Sequence, residues 1–209
     1  MGDKQRHKRL RSLIKKLNKE RKKQTKQIDI LCNDFISAQR NFIKNLNTIN
    51  FMANFYESII GSIDLNGLLC TAAGLIKDEY TDANVTFFLR QADSFELYMF
   101  ESKEPISFEK QHLENCFSPE LMDNIWKSNK VCTLDDMFAM GLQGNLKGLN
   151  KVSAMTIPLS RFGSSLGFML VCRSSENKWT ADETNNISAV TDGLCRAIAS
   201  CQALLKTTD

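Results

Sequence analysis

The side chains in this chain with the most chemical potential are seven cysteines: Cys32, Cys70, Cys116, Cys132, Cys172, Cys195 and Cys201. They are scattered, odd in number and never form a CxxC pair, which reads as reduced thiols in a cytoplasm. Such a thiol becomes a nucleophile only where its pKa is depressed; elsewhere Cys is a small buried hydrophobe. Cys116 and Cys132 stand out because they bracket one short helical segment. The two histidines, His7 and His112, are too few for a histidine-based metal site, and neither adjoins a cysteine. His7 falls in a charged tail and His112 reads as a surface helix residue. Asp135-Asp136 suits an amine or a metal ion, or the cap of a turn. No GxSxG, Walker loop, HExxH or GxGxxG string occurs. The expectation is a protein without catalysis of its own.

The elements that must position these groups begin with a long helix, expected over residues 8–62 after a disordered basic tail, 1–7. Taking Ile28 as heptad position a, the inward positions are Ile28, Leu31, Phe35, Ala38, Phe42, Asn45, Ile49, Met52, Tyr56, Ile59 and Ile63. All but Asn45 are apolar. Counting back adds Leu10, Ile14 and Leu17, then a gap at Arg21 and Gln24. A repeat held this long predicts a coiled coil with a partner helix, roughly 80 Å in length. A single amphipathic helix folded back on its own domain is the alternative. From Phe42 onward Ile43, Leu46, Phe51, Phe55 and Ile60 widen the apolar face, so this part packs against more than one surface.

Charge divides along the same line. Residues 1–27 hold twelve Lys/Arg against Asp3 and Glu20, a net +10; the remainder holds fifteen against twenty-two acids, a net −7. The basic end suits a protein partner or an acidic surface, or is a solvated helix end. It lacks interleaved aromatics, which argues against base stacking. No apolar run approaches a membrane span, and no apolar segment follows the basic start as in a secretory signal. Cytoplasmic placement is the expectation.

Beyond residue 62 the pattern is α+β. Asp64 caps a helix over 65–79; strands follow over 83–91 and 95–101 as a hairpin turning at Ala92-Asp93-Ser94. Ser118-Pro119-Glu120 starts a helix to residue 128, and 130–133 is a short strand. Residues 134–150 read as a long loop carrying Met137, Met140 and three glycines, functional or mobile by its length. Two strong strands, 151–160 and 165–173, precede Thr180 and Glu183, which form a capping box for a last helix to about 205. Its inward set, Ile187, Val190, Leu194, Ala197, Cys201 and Leu204, repeats a heptad step. Two such helices and two long helices would close a four-helix bundle across a homodimer. The dimer-interface residues expected are Ile28, Leu31, Phe35, Phe42, Asn45, Ile49, Met52, Tyr56, Ile59, Leu194 and Cys201.

The run Ser153-Ala154-Met155-Thr156-Ile157-Pro158-Leu159, a short turn, then Leu166-Gly167-Phe168-Met169-Leu170-Val171 resembles the closing hairpin of GAF domains. Trp179-Thr180 with its acidic followers resembles the start of their C-terminal helix, and Ile63-Asp64-Leu65 resembles their opening. The resemblance covers about 63–206 and implies a GAF-like domain there: a six-stranded antiparallel sheet flanked by helices, preceded by the long coiled-coil helix. It also implies a sensory or regulatory dimer and a small-molecule pocket between the sheet and the segment 117–150. Candidate pocket residues are Phe87, Cys116, Cys132, Asp135, Met137, Met140, Thr156 and Cys172. Thr156 and Cys172 share one strand parity and Ser153 and Met155 the other; the sequence leaves open which faces the pocket. Cyclic-nucleotide-binding members end the last strand with Asn-Lys, whereas here it ends Cys172-Arg173; bilin-binding members need a chromophore cysteine, often followed by His. Some members reduce free methionine sulfoxide with cysteines near Cys116 and Cys132, so a thiol-based redox role is a further alternative. So is a ligand-free adaptor.

Overall fold

The computed structural model describes residues 2–91, 94–100, 113, 115–143, 151–161 and 163–207. His112, the hairpin turn at 92–93 and Gly144 and Gly148 lie outside the described residues. The chain divides into two units, residues 1–49 and 50–209.

The first unit is helical throughout, as the greater part of α1 (Gly2–Ile59). Helix begins at Gly2, where the sequence suggested a disordered tail to residue 7; Lys, Arg and Gln are good helix formers and no proline interrupts them. Its apolar stripe faces water: Ile28, Leu31, Phe35, Phe42 and Ile49 are 58–70% exposed. Asn45 is exposed as well.

The second unit is built on an antiparallel sheet in the order β2-β1-β5-β4-β3. Its strands are β1 (Asn84–Gln91), β2 (Ser94–Met99), β3 (Cys132–Thr133), β4 (Val152–Arg161) and β5 (Ser164–Ser174). Five strands are present among the described residues, against the six that the resemblance implied. Gly167 allows β1 and β5 to approach: at φ +145° its missing Cβ would lie 1.9 Å from the Phe88 carbonyl oxygen.

Helices cover both faces. On one face lie the end of α1, α2 (Leu65–Glu79), α5 (Ala181–Ala189) and α6 (Thr191–Thr207). Phe55, Leu68, Ile76, Leu194 and Ile198 there meet Val85, Phe87, Leu89, Ile157 and Val171 of the sheet. On the other face lie α3 (Pro119–Ser128) and α4 (Leu134–Ala139).

Three local differences from the sequence reading have physical causes. Residues 134–139 are helix, not loop, because Thr133 and Asp136 form a reciprocal capping box that turns the end of β3 straight into α4. The single helix expected over 181–205 is broken at Val190. There the Thr191 hydroxyl donates to the Ser188 carbonyl at 2.8 Å, and the Tyr56 hydroxyl donates to the Ala189 carbonyl at 2.9 Å, satisfying carbonyls that the break frees. Finally, several expected dimer-interface residues are used internally. Ile59, Leu194 and Cys201 are at most 3% exposed in the chain's own core, and Met52 and Tyr56 pack against that core, because α6 lies on the sheet beside α2. The inward face here is Phe51 and Phe55, each one position before the heptad sites Met52 and Tyr56, together with the heptad site Ile59.

Candidate functional site: the α3–α4 face of the sheet

Cross-strand register settles the parity question. Cys132 of β3 opposes Thr156 of β4, and Thr156 opposes Leu170 of β5. Cys132 and Leu170 belong to the apolar cluster under α3 and α4, so the parity of Thr156 and Cys172 faces that side. Met155 points to the opposite core.

The α3–α4 face is aromatic in its centre. Phe88 and Phe168, neighbours on β1 and β5, stack with centroids 4.7 Å apart, and Phe117 tilts over Phe88 at 4.9 Å. Such pairs add about 0.5–1.5 kcal/mol beyond area burial. Leu121 and Ile125 of α3 and Met137 of α4 complete the layer. α3 is held to the sheet at its far end as well: the Trp126 indole donates to the Ser165 carbonyl at 3.0 Å, and the Arg90 guanidinium lies 3.8 Å over the Trp126 ring with Asp123 at 3.5 Å.

Between these groups remains a cavity of about 20 Å³, lined by Cys116, Phe117, Met137, Leu142, Ala154 and Cys172 among others. That is room for about one water, whereas small-molecule sites run to several hundred Å³. Three of the expected pocket residues therefore line it: Cys116, Met137 and Cys172. Cys132 lies in the same cluster and Met140 packs half-buried against it. Thr156 is fully buried on the same face, and among the described residues its hydroxyl has no hydrogen-bond partner. Two expected residues do not belong. Phe87 is on the opposite face, fully buried with the α1–α2–α6 core, because strand alternation sends Phe88 to the site instead. Asp135 is exposed in a separate shallow groove with Lys178 and Trp179.

Burial decides the thiol chemistry. It raises the Cys116 pKa, and it pushes the Cys172 thiol up to about 12 despite the charge of Lys77. The Cys172 thiol donates weakly to the Asn84 carbonyl at 3.8 Å. The Cys132 sulfur contacts the Ser128 hydroxyl and the Lys130 carbonyl, both at 3.4 Å. Cys116 and Cys172 are thus held as thiols at neutral pH, unsuited to attack. Among the described residues no three His, Cys, Asp or Glu side chains gather as a metal site. Among the described residues the face can enclose an apolar group and offer the Thr156 hydroxyl, and it brings no acid–base pair together.

A second constellation escaped the sequence reading. Arg173, with its side chain 7% exposed, is the next-to-last residue of β5 and donates from all three guanidinium nitrogens. It makes a bidentate pair with Glu183 at 2.8 and 2.9 Å and donates to the Asn177 and Lys178 carbonyls at 2.8 and 2.7 Å. The Trp179 ring lies 3.9 Å below it and Asp82 is 3.9 Å away. Arg173, first among several partners, holds the Glu183 carboxyl below the usual carboxylate range. The clasp fastens the start of α5 to the end of the sheet and the α2–β1 turn. Its signal was present: the strand-end arginine and a capping-box glutamate ten residues later, each read separately.

No family model matches this chain, and no curated protein matches it. Solved structures do. The GAF domain of a phosphoenolpyruvate-protein phosphotransferase from Coxiella burnetii aligns with 76% of this chain and 96% of its own, at 14% identity and a TM-score of 0.57. A methyl-accepting chemotaxis protein segment, residues 122 to 287, aligns with 72% of this chain and 98% of its own, at 18% identity and a TM-score of 0.55. Free methionine-R-sulfoxide reductase from Neisseria meningitidis aligns with 75% and 91%, at 13% identity and a TM-score of 0.53.

Proposed function

We propose that this chain, which has the GAF fold, is a sensory or regulatory module that acts as a cytoplasmic homodimer joined along α1 and catalyses nothing itself. The observation that carries this reading is the stripe Ile28, Leu31, Phe35, Phe42 and Ile49, each more than half exposed on a helix with a sustained heptad. Contiguous apolar surface of this kind marks an interaction site, and its period fits a second helix of the same kind. The basic stretch 1–27 supplies a further surface for an acidic protein partner.

A small, largely apolar ligand would enter on the α3–α4 face, displacing Met137 or Leu142 and using the Thr156 hydroxyl as its polar contact. Its effect follows from differential affinity: binding favours whichever arrangement of the module leaves that space open. Thermal shift across nucleotides, amino acids and tetrapyrroles, with native mass spectrometry of the purified protein, tests this. A retained or stabilising small molecule supports the sensor. Its consistent absence leaves the second reading, a ligand-free adaptor, which the 20 Å³ residual cavity favours.

The reductase neighbour raises a thiol enzyme as a third reading. The raised pKa values of Cys116 and Cys172 oppose it. Iodoacetamide labelling checks this: slow reaction at both sites is expected, and rapid reaction at Cys116 would reinstate the enzyme.

A further inference from the structure

Charge on the early part of α1 is sorted by helix face. In the frame counted from Ile28, the outward b positions are Lys8, Lys15 and Lys22, and the outward c and f positions between residues 8 and 26 add Arg9, four more lysines and Ser12. Eight of these nine positions are basic and none is acidic. The two acids of the stretch, Asp3 and Glu20, stand at d and g, off that face. Residues 8–26 are helical and exposed throughout, so the face runs unbroken for about 27 Å. Among the described residues no ion pair joins any of the eight to an acid. Over the next three heptads, to residue 47, the same positions carry only Asp29, Arg40 and Lys44 as charges. The apolar residues of the stretch lie on the other side: Leu10, Ile14 and Leu17 hold seam positions and are 52–72% exposed.

We propose that this outward face docks a flexible acidic segment of a partner protein, a run of Asp and Glu carboxylates held by charge alone. The inference rests on the acidic-partner reading above and adds which face is used and what form the partner takes. Seven lysines and one arginine supply mobile point charges, not the planar forks that fix carboxylates or phosphates in one geometry. A chain with many interchangeable carboxylates suits such a face, and its flexibility lets it follow the helix. Duplex DNA suits it less, because a pair of basic helices must part to enter the major groove, and Leu10, Ile14 and Leu17 give a pair of these helices a reason to stay closed. A lipid surface needs the apolar side turned into it, whereas here the basic face looks the opposite way. The seam and the basic face do not compete, so the partner binds without opening the homodimer.

Fluorescence anisotropy on the full chain with labelled poly-L-glutamate tests this. Two variants reverse three charges each, one on the face (Lys15→Glu/Lys19→Glu/Lys22→Glu) and one off it (Arg6→Glu/Arg11→Glu/Arg21→Glu). At physiological salt charges are screened within about 8 Å, less than the 10–12 Å breadth of a helix, so the two sides act separately. The face variant should raise the dissociation constant at least about tenfold and the other less than about threefold, with helix content unchanged by circular dichroism. Equal losses would mean that net charge alone attracts the partner; the face is then overturned and the acidic-partner reading stands. If wild type does not bind poly-L-glutamate, or binds a short DNA duplex or phosphatidylserine–phosphatidylcholine vesicles more tightly, both fall.

Discussion

Two stretches of one helix share a period and meet different fates. Along residues 28–49 of α1 the apolar positions are uncovered; along 50–59, Phe51, Phe55 and Ile59 turn into the second unit's core, with Phe55 fully buried. The heptad counted from Ile28 treats them as one seam. Hydrophobic spacing thus reports a face to be covered, not what covers it. Within the second unit the cover comes from the same chain. For the stripe before it, the proposed cover is another chain.

The largest way to break this contrast is at Phe55. Phe55→Ala should cost the second unit about 3–5 kcal/mol, read by chemical denaturation, because it opens a cavity among fully buried neighbours. Phe35→Ala, on the exposed stripe, should leave that unit's unfolding nearly unchanged. Equal effects would erase the distinction.

Next is Ile49→Asp. A carboxylate placed in a coiled-coil seam should raise the dimer dissociation constant at least about tenfold without altering the domain's near-ultraviolet signal. A shift in the domain's fold instead would mean that Ile49 serves the same core as Phe55.

Thr156→Val separates the regions in the opposite direction. Among the described residues its hydroxyl is buried without a partner, so removing it should raise the second unit's stability by about 1 kcal/mol while the dimer constant stays fixed. Loss of stability would mean that the hydroxyl has a partner, and a ligand contact would then be read from that partner.

The smallest effect concerns pH. The folded Glu183 pKa lies below its ordinary 4.5, so its contribution is fully present above that value and is lost as pH falls through the folded value. Glu183→Gln should flatten the acid limb of the second unit's stability profile below about pH 4.5 and leave the neutral dimer constant alone. An unchanged acid limb would remove the Arg173 clasp from the account.

The parts of the fold that were legible in the sequence have local signals. The helix from Leu65, the α3 start at Ser118-Pro119 and the Thr180–Glu183 box are capping chemistry, and the β4–β5 pair is strand alternation. What was not legible depends on partners distant in sequence. The break at Val190 is completed by Tyr56, 133 residues away. Phe87 and Phe88 are both apolar and adjacent, and only the helices on either side decide which one faces the site. Asp135-Asp136 read as a turn because the cap, Thr133, was assigned to the strand alone. The small cavity was beyond sequence reasoning altogether, since its volume depends on how closely Met137, Leu142 and Cys116 close over the sheet.

The central claim is that two copies join along α1, and sedimentation of the full wild-type chain in moderate salt tests it most directly. A species of twice the 23.7 kDa chain mass that dissociates on dilution is the expected result. A 23.7 kDa species at every concentration would contradict it.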